Sequence, residues 1–127
     1  MQGAIVGGTL NVKNSDRTQH RTRFLDARRS IRAVVRQSDA GQVVPLPGVL
    51  EHPGIIEIRC DLHPWTRGWI MVYEHPYFVL TDRTGSFEID SIPSGRYRLV
   101  AWHARLGRSE QDVDVKPGES LRIQIQF

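Results

Sequence analysis

Pro53-Gly54-Ile55-Ile56-Glu57-Ile58-Arg59-Cys60-Asp61-Leu62-His63-Pro64-Trp65 is the stretch that decides the fold. After Ile55 its apolar and polar side chains alternate, the two-residue period of a strand with one face in a core. The strand closes on Cys60-x-x-His63. Where a strand ends and its loop turns back, a thiolate and an imidazole at this separation can reach one metal ion, and that pairing selects copper or zinc. Cys60 is the only cysteine, which excludes an internal disulfide framework. It is left as a buried thiol, an intermolecular partner, a nucleophile or a metal ligand.

Strand signals recur on both sides of this stretch, with turn residues between them. Upstream, Ala4-Ile5-Val6 and Thr9-Leu10-Asn11-Val12 read as a β-type segment broken by Gly7-Gly8. Downstream, Trp69-Ile70-Met71-Val72-Tyr73 is continuously apolar and reads as a strand buried on both faces. Strands are expected over 77–81 and 86–89, flanking the turn Asp82-Arg83-Thr84-Gly85. Further strands are expected over 96–102, 112–115 and 121–127, separated by Pro93-Ser94-Gly95 and Lys116-Pro117-Gly118. Residues 22–37 are the exception: Leu25, Arg28, Arg29, Arg32 and Val35 could lie along a helix, but a loop with a short strand is the expectation taken. Many short strands with turns roughly every ten residues argue an all-β chain, an antiparallel β-sandwich or barrel.

At 127 residues the chain is long enough for one core and short for two. No run reaches the ~18 apolar residues of a membrane-spanning helix, and the opening Met1-Gln2-Gly3-Ala4 has no basic, signal-like character. The net charge of +3 matters less than its placement. Arg17, Arg21, Arg23, Arg28, Arg29, Arg32 and Arg36 crowd one segment, relieved by Asp16 and Asp26. A solvated surface is the plainest account of them. A protein-docking face comes next, since arginine suits interfaces and pairs bidentately with carboxylates. Nucleic acid ranks last, because no aromatics are interleaved as a stacking platform.

A mononuclear copper electron-transfer site takes two histidines and a cysteine, usually with a weak axial ligand. The second histidine must come from another strand, and Asn14-Ser15-Asp16-Arg17-Thr18-Gln19-His20 offers one just after the Leu10–Val12 segment. A catalytic Cys–His pair lacks a third residue to orient the base. Asp114, Glu88 and Asp90 form no recognisable acid/base pair, so no enzyme is expected. His75 and His103 read as core-edge residues holding turns, and His52 as a loop residue.

In these segments the chain resembles bacterial cupredoxin-like proteins merged with a carboxypeptidase-regulatory-like (transthyretin-like) β-sandwich. The resemblance is carried by Gly8 to Asp16 with His20, by Pro53 to Trp65, by His75 to Ile89 and by Ile92 to His103. It implies a single compact β domain over 1–127, with a cupredoxin-like portion at 1–74 and a regulatory-like portion at 75–127. It implies copper held by His20, Cys60 and His63, and a periplasmic or membrane-peripheral location on the extracytoplasmic side. Two departures stand out. Thr66 occupies the family's usual axial-methionine position, with Met71 a doubtful substitute, and the leading strands of longer members are missing. Two functions follow: an electron-transfer copper domain, or a non-catalytic subunit of a membrane-associated respiratory or photosynthetic complex, docked through Arg17, Arg21, Arg23, Arg28, Arg29 and Arg32. A transthyretin-like ligand- or carbohydrate-binding module is a third reading, resting on the C-terminal resemblance alone.

Overall fold

Ile56, Ile58 and Cys60 share one face of a strand, and that face meets the matching faces of its neighbours. In a computed structural model describing all of residues 1–127, the regular elements are strands throughout. The chain divides into two compact units, Met1–Phe87 and Glu88–Phe127.

The first unit holds β1 (Gln2–Ile5), β2 (Leu10–Lys13), β3 (His20–Leu25), β4 (Ile31–Gln37), β5 (Val43–Leu46), β6 (Gly54–Cys60) and β7 (Arg67–Tyr73). Five of them form a sheet in the order β1-β7-β6-β3-β4, while β2 and β5 form a second, two-stranded sheet. Only the β1–β7 pair is parallel. Gly7, at φ 85°, sits where the chain leaves β1 for the second sheet, a backbone conformation that glycine adopts without steric cost. Phe24, Val35, Ile56, Ile70 and Val72 from the larger sheet, with Val49 and Leu50, are buried together. Leu10, Val12, Val44 and Leu46 of the smaller sheet pack against them. This is the two-layer arrangement that buries one face of each sheet. Gln37, buried at the end of β4, donates both amide hydrogens across the layers, to Val12 O at 3.0 Å and Gln42 O at 2.9 Å.

The second unit is the hairpin β8 (Gly95–His103) and β9 (Gly107–Val115), paired in full from Gly95↔Val115 to His103↔Gly107. Tyr97 donates its hydroxyl to Pro93 O at 2.8 Å, so Pro93-Ser94-Gly95 does act as the turn device its residues suggest.

The all-β reading stands, and four local expectations change. Residues 22–37 are not a loop with a short strand but most of a hairpin, β3–β4, in which Asp26 Oδ1 accepts the N–H groups of Arg28 and Ser30, both at 2.9 Å. Polar Thr22 and Gln37 on the inner face, and apolar Val34 on the outer one, hid the apolar face formed by Phe24, Ala33 and Val35. Residues 77–81 and 86–89 form no strands, although Asp82 closes its turn by accepting from Thr84 N and Ser86 N. Phe78 instead stacks on Tyr73, ring centroids 4.3 Å apart. Residues 121–127 alternate but pair with no strand. Finally, β7 is buried on one face only: Ile70 and Val72 point into the core, while Trp69, Met71 and Tyr73 are half-buried.

Candidate metal centre

The site begins with strand register. Antiparallel β3 and β6 set Thr22 opposite Cys60, and side chains two residues apart on a strand share a face. His20 therefore lies on the same face as Cys60, one diagonal step away. The β6–β7 loop supplies the third group. Its last ladder pair is Arg59↔Arg67, Cys60 N donates to Thr66 O at 3.4 Å, and Thr66 N donates to His63 O at 2.8 Å. This folds His63 back over the strand end.

His20, Cys60 and His63 are brought together, with one ligand atom from each within 4.8 Å of the others. Cys60 Sγ lies 3.7 Å from His20 Nδ1 and 3.6 Å from His63 Nδ1. The two imidazole centroids are 4.9 Å apart, edge to face. A thiolate and an imidazole bound to one ion at ordinary lengths stand about 3.5–3.8 Å apart, so the donor set and its spacing fit a copper or zinc ion. Cys60 itself is buried, at 4% exposure, while Trp65, against the His63 ring at 5.3 Å, is 80% exposed.

The charges of the site are coupled. Burial pushes the Cys60 thiol up, but the His20 hydrogen bond and the backbone N–H groups of Arg21, Leu62 and His63 outweigh it and leave the thiol lowered to about 6. His20 is raised above the ordinary imidazole value, first by Cys60 and then by Asp16. Neutral solution thus favours the thiolate, the form that binds metal.

Sequence reasoning missed Asp16 as part of the site. Its Oδ1 and Oδ2 lie 3.0 and 3.2 Å from His20 Nε2, and its carboxyl is held low, first by the Thr18 N–H and then by His20. The available signal was the four-residue spacing behind a presumed ligand. Thr66, in the position where an axial methionine was sought, is exposed. Met71 alternates with the core-facing Ile70 and Val72, and so lies on the sheet face opposite Cys60. His103 Nδ1 accepts from Arg105 N and Leu106 N and so holds the β8–β9 turn. His75 borders Tyr73 and Tyr77, and His52 lines an open cleft with Arg28 and Arg32.

Residues 53–123, over half of the chain, match the family model described as polysaccharide lyase family 4, domain II, a fibronectin-type-III-like fold. Nothing among the curated proteins or the solved structures matches the chain. The family model agrees with the sequence-based resemblance on a β-sandwich. The matched span contains Cys60 and His63 but not His20. No helix is long and apolar enough to cross a membrane.

Proposed function

The chain belongs to the polysaccharide lyase family 4, domain II family, and on that scaffold we propose that it is an extracytoplasmic, cupredoxin-like domain binding one copper ion for electron transfer. The carrying observation is the meeting of His20, Cys60 and His63, two of them in one loop and the third forty positions upstream, at spacings that suit a shared ion. Copper held by one thiolate and two imidazoles supplies one-electron exchange. The chain's part is to present those donors already assembled. Cys60 ends a strand paired on both sides, and His20 opens the strand beside it. Both therefore hold their places with little rearrangement. His63 and the exposed Trp65 put the outer edge of the site within reach of a redox partner. Catalytic machinery forms no part of the proposal: the family description names a lyase, but the acids of the matched hairpin, Glu110, Asp112 and Asp114, are exposed, with Glu110 beside Arg98 and Arg108 and Asp112 beside Arg98.

Loading the purified protein with Cu(II) tests the reading. An intense visible thiolate-to-copper band is expected, lost in Cys60→Ser. A colourless protein that cannot retain copper refutes it, and uptake of zinc alone makes the centre structural.

One observation favours a second reading, a non-catalytic subunit of a membrane-associated respiratory or photosynthetic complex. On the sheet face away from the core, the register sets Arg21 opposite Arg36, Arg23 opposite Arg59 and Arg59 opposite Arg67. Like charges directly opposed destabilise an antiparallel pair. Asp61 offsets Arg21 and Arg23, and Glu57 offsets Arg59 and Arg67. A basic surface kept at that cost suits an acidic protein face, with Arg17, Arg28, Arg29 and Arg32 on the adjoining loops and edge strand. Failure to bring down any partner from detergent-solubilised membranes at low salt counts against it.

A further inference from the structure

Two carboxylates lie beside the His20–Cys60–His63 cluster, and their situations differ. Asp61 is claimed by two guanidinium groups, those of Arg21 and Arg23. Asp16 has one charged partner, His20. That contact is to Nε2, while Nδ1 of the same ring faces the sulfur at 3.7 Å. His63, whose ring meets Trp65 and His20 and whose Nδ1 faces the sulfur at 3.6 Å, feels the Asp16 charge through space without a hydrogen bond to it.

Asp16 is exposed, but its carboxylate does not swing freely. Its Oδ1 accepts the Thr18 N–H at 2.9 Å, and its own N–H donates to Asn14 Oδ1 at 3.1 Å. Asn14 is buried and tied into the neighbouring loop: its N–H donates to Gln42 O at 2.9 Å, its carbonyl accepts from Gly41 N at 2.7 Å, and its side-chain amide donates to Thr18 O at 3.2 Å. The loop from β2 to β3 is thus built to hold one negative charge against the far nitrogen of one imidazole. A carboxylate in that position keeps the proton on Nε2, leaves the Nδ1 lone pair toward the cluster, and makes the ring a stronger electron donor.

We propose that Asp16 is a positioning residue that orients His20 and, through its charge, biases the centre toward the more highly charged oxidation state of its ion, Cu(II) over Cu(I). The proposal rests on the copper reading above. Copper(II) carries one more positive charge than copper(I), so a fixed carboxylate one imidazole away stabilises it the more. Solvent screens that effect without abolishing it.

The test compares reduction potentials of copper-loaded wild type and Asp16→Asn. Asparagine keeps a carbonyl oxygen for the Thr18 and His20 N–H groups and removes only the charge. The expected result is an unchanged visible band and a potential raised by about 59 mV, a roughly tenfold loss of preference for Cu(II). Asp16→Ala, which also removes the acceptor, should weaken Cu(II) binding by ~10–100-fold. A coloured Asp16→Asn protein with the wild-type potential overturns the proposal and leaves the copper reading intact. A folded Asp16→Asn protein that has lost the band also overturns it, since the role is then structural. Should Asp16→Asn fail to fold, Asp16→Ser, which retains an acceptor for Thr18 N–H, is read in the same way. A wild-type protein that takes up no copper refutes the underlying reading and this proposal with it.

Discussion

Residues Met1–Phe87 and Glu88–Phe127 are built from the same kind of sequence and reach different ends. Both alternate apolar and polar residues and both form antiparallel ladders. All of the chain's buried residues belong to the first unit, and the second has none. The difference is the second layer. In the first unit β2 and β5 lay Leu10, Val12, Val44 and Leu46 on the large sheet, whereas β8 and β9 form a two-stranded sheet by themselves. Alternation makes a strand, but two layers are needed to make a core. The His20–Cys60–His63 cluster lies in the layered unit, where pairing on both sides of β6 fixes where its end points.

Amide exchange offers the largest test of this contrast. The amides of Ile56, Ile58, Ile70 and Val72 should exchange on the order of a thousandfold more slowly than those of Val100 and Val113, because a two-stranded sheet with no buried residues of its own is held less firmly than a layered core. Equal protection in the two units would break the comparison. Truncation tests it through energy. Phe24→Ala removes a ring at 1% exposure and should cost about 3–5 kcal/mol in urea denaturation, whereas Leu99→Ala in the hairpin should cost less than about 1 kcal/mol.

The thiol sharpens the contrast from the side of the site. In metal-free protein, thiolate absorbance at 240 nm should rise with a midpoint at about 6, and His20→Ala should move that midpoint up, since burial opposes the charge and His20 is its largest offset. The folded thiol titrates below its unfolded value, so its stabilisation is full above the unfolded value near 9.0 and is lost as pH falls through about 6. His20 is shifted in the opposite direction, so its contribution is full below 6.5 and fades as pH rises through its raised value. The thermal midpoint should therefore vary less with pH than either group alone would require. A midpoint near the ordinary thiol value would show that the cluster is not assembled in the metal-free protein.

Smaller effects test the packing around β1 and β7. A Cβ on Gly3 would collide with the Phe78 ring, so Gly3→Ala should dislodge that ring and cost about 1–3 kcal/mol; no loss would mean that residues 75–80 do not cover β1. Glu57 is held below the usual carboxylate range: burial raises it, but Arg59 and Arg67 more than compensate. Glu57→Gln leaves those arginines directly opposed and should cost about 0.2–1 kcal/mol at neutral pH. The wild-type contribution is present above about 4.5 and disappears as pH falls through the lowered value, so the two proteins should converge in acid.

Much of the site was legible because its parts are local. Cys60 and His63 share one loop, and the chemistry of a thiolate beside an imidazole depends on nothing distant. His20 was different: a histidine after a strand and a turn is a common pattern, and only family spacing singled it out. What places it is the pairing Thr22↔Cys60, a contact between strands far apart in sequence. Asp16 went unread for a related reason, since a carboxylate four residues before a histidine touches it only when the loop between them is held. Here Asn14 does the holding. The β3–β4 hairpin was misread because polar Thr22 and Gln37 lie on its inner face and apolar Val34 on its outer one, which breaks the usual contrast between the two faces.

The sequence by itself determined the secondary-structure class and the turns, because a two-residue period and the turn chemistry of Asp82, Pro93 and Gly95 act through near neighbours. It did not determine which alternating segments become strands. Residues 121–127 alternate as cleanly as β6 and yet join no ladder, since a strand's hydrogen bonds belong to another strand that must arrive from elsewhere in the chain. Nor did it determine the 3.7 Å between His20 Nδ1 and Cys60 Sγ. Register, set by burying Phe24, Ile56 and Ile70 in one core, made that distance.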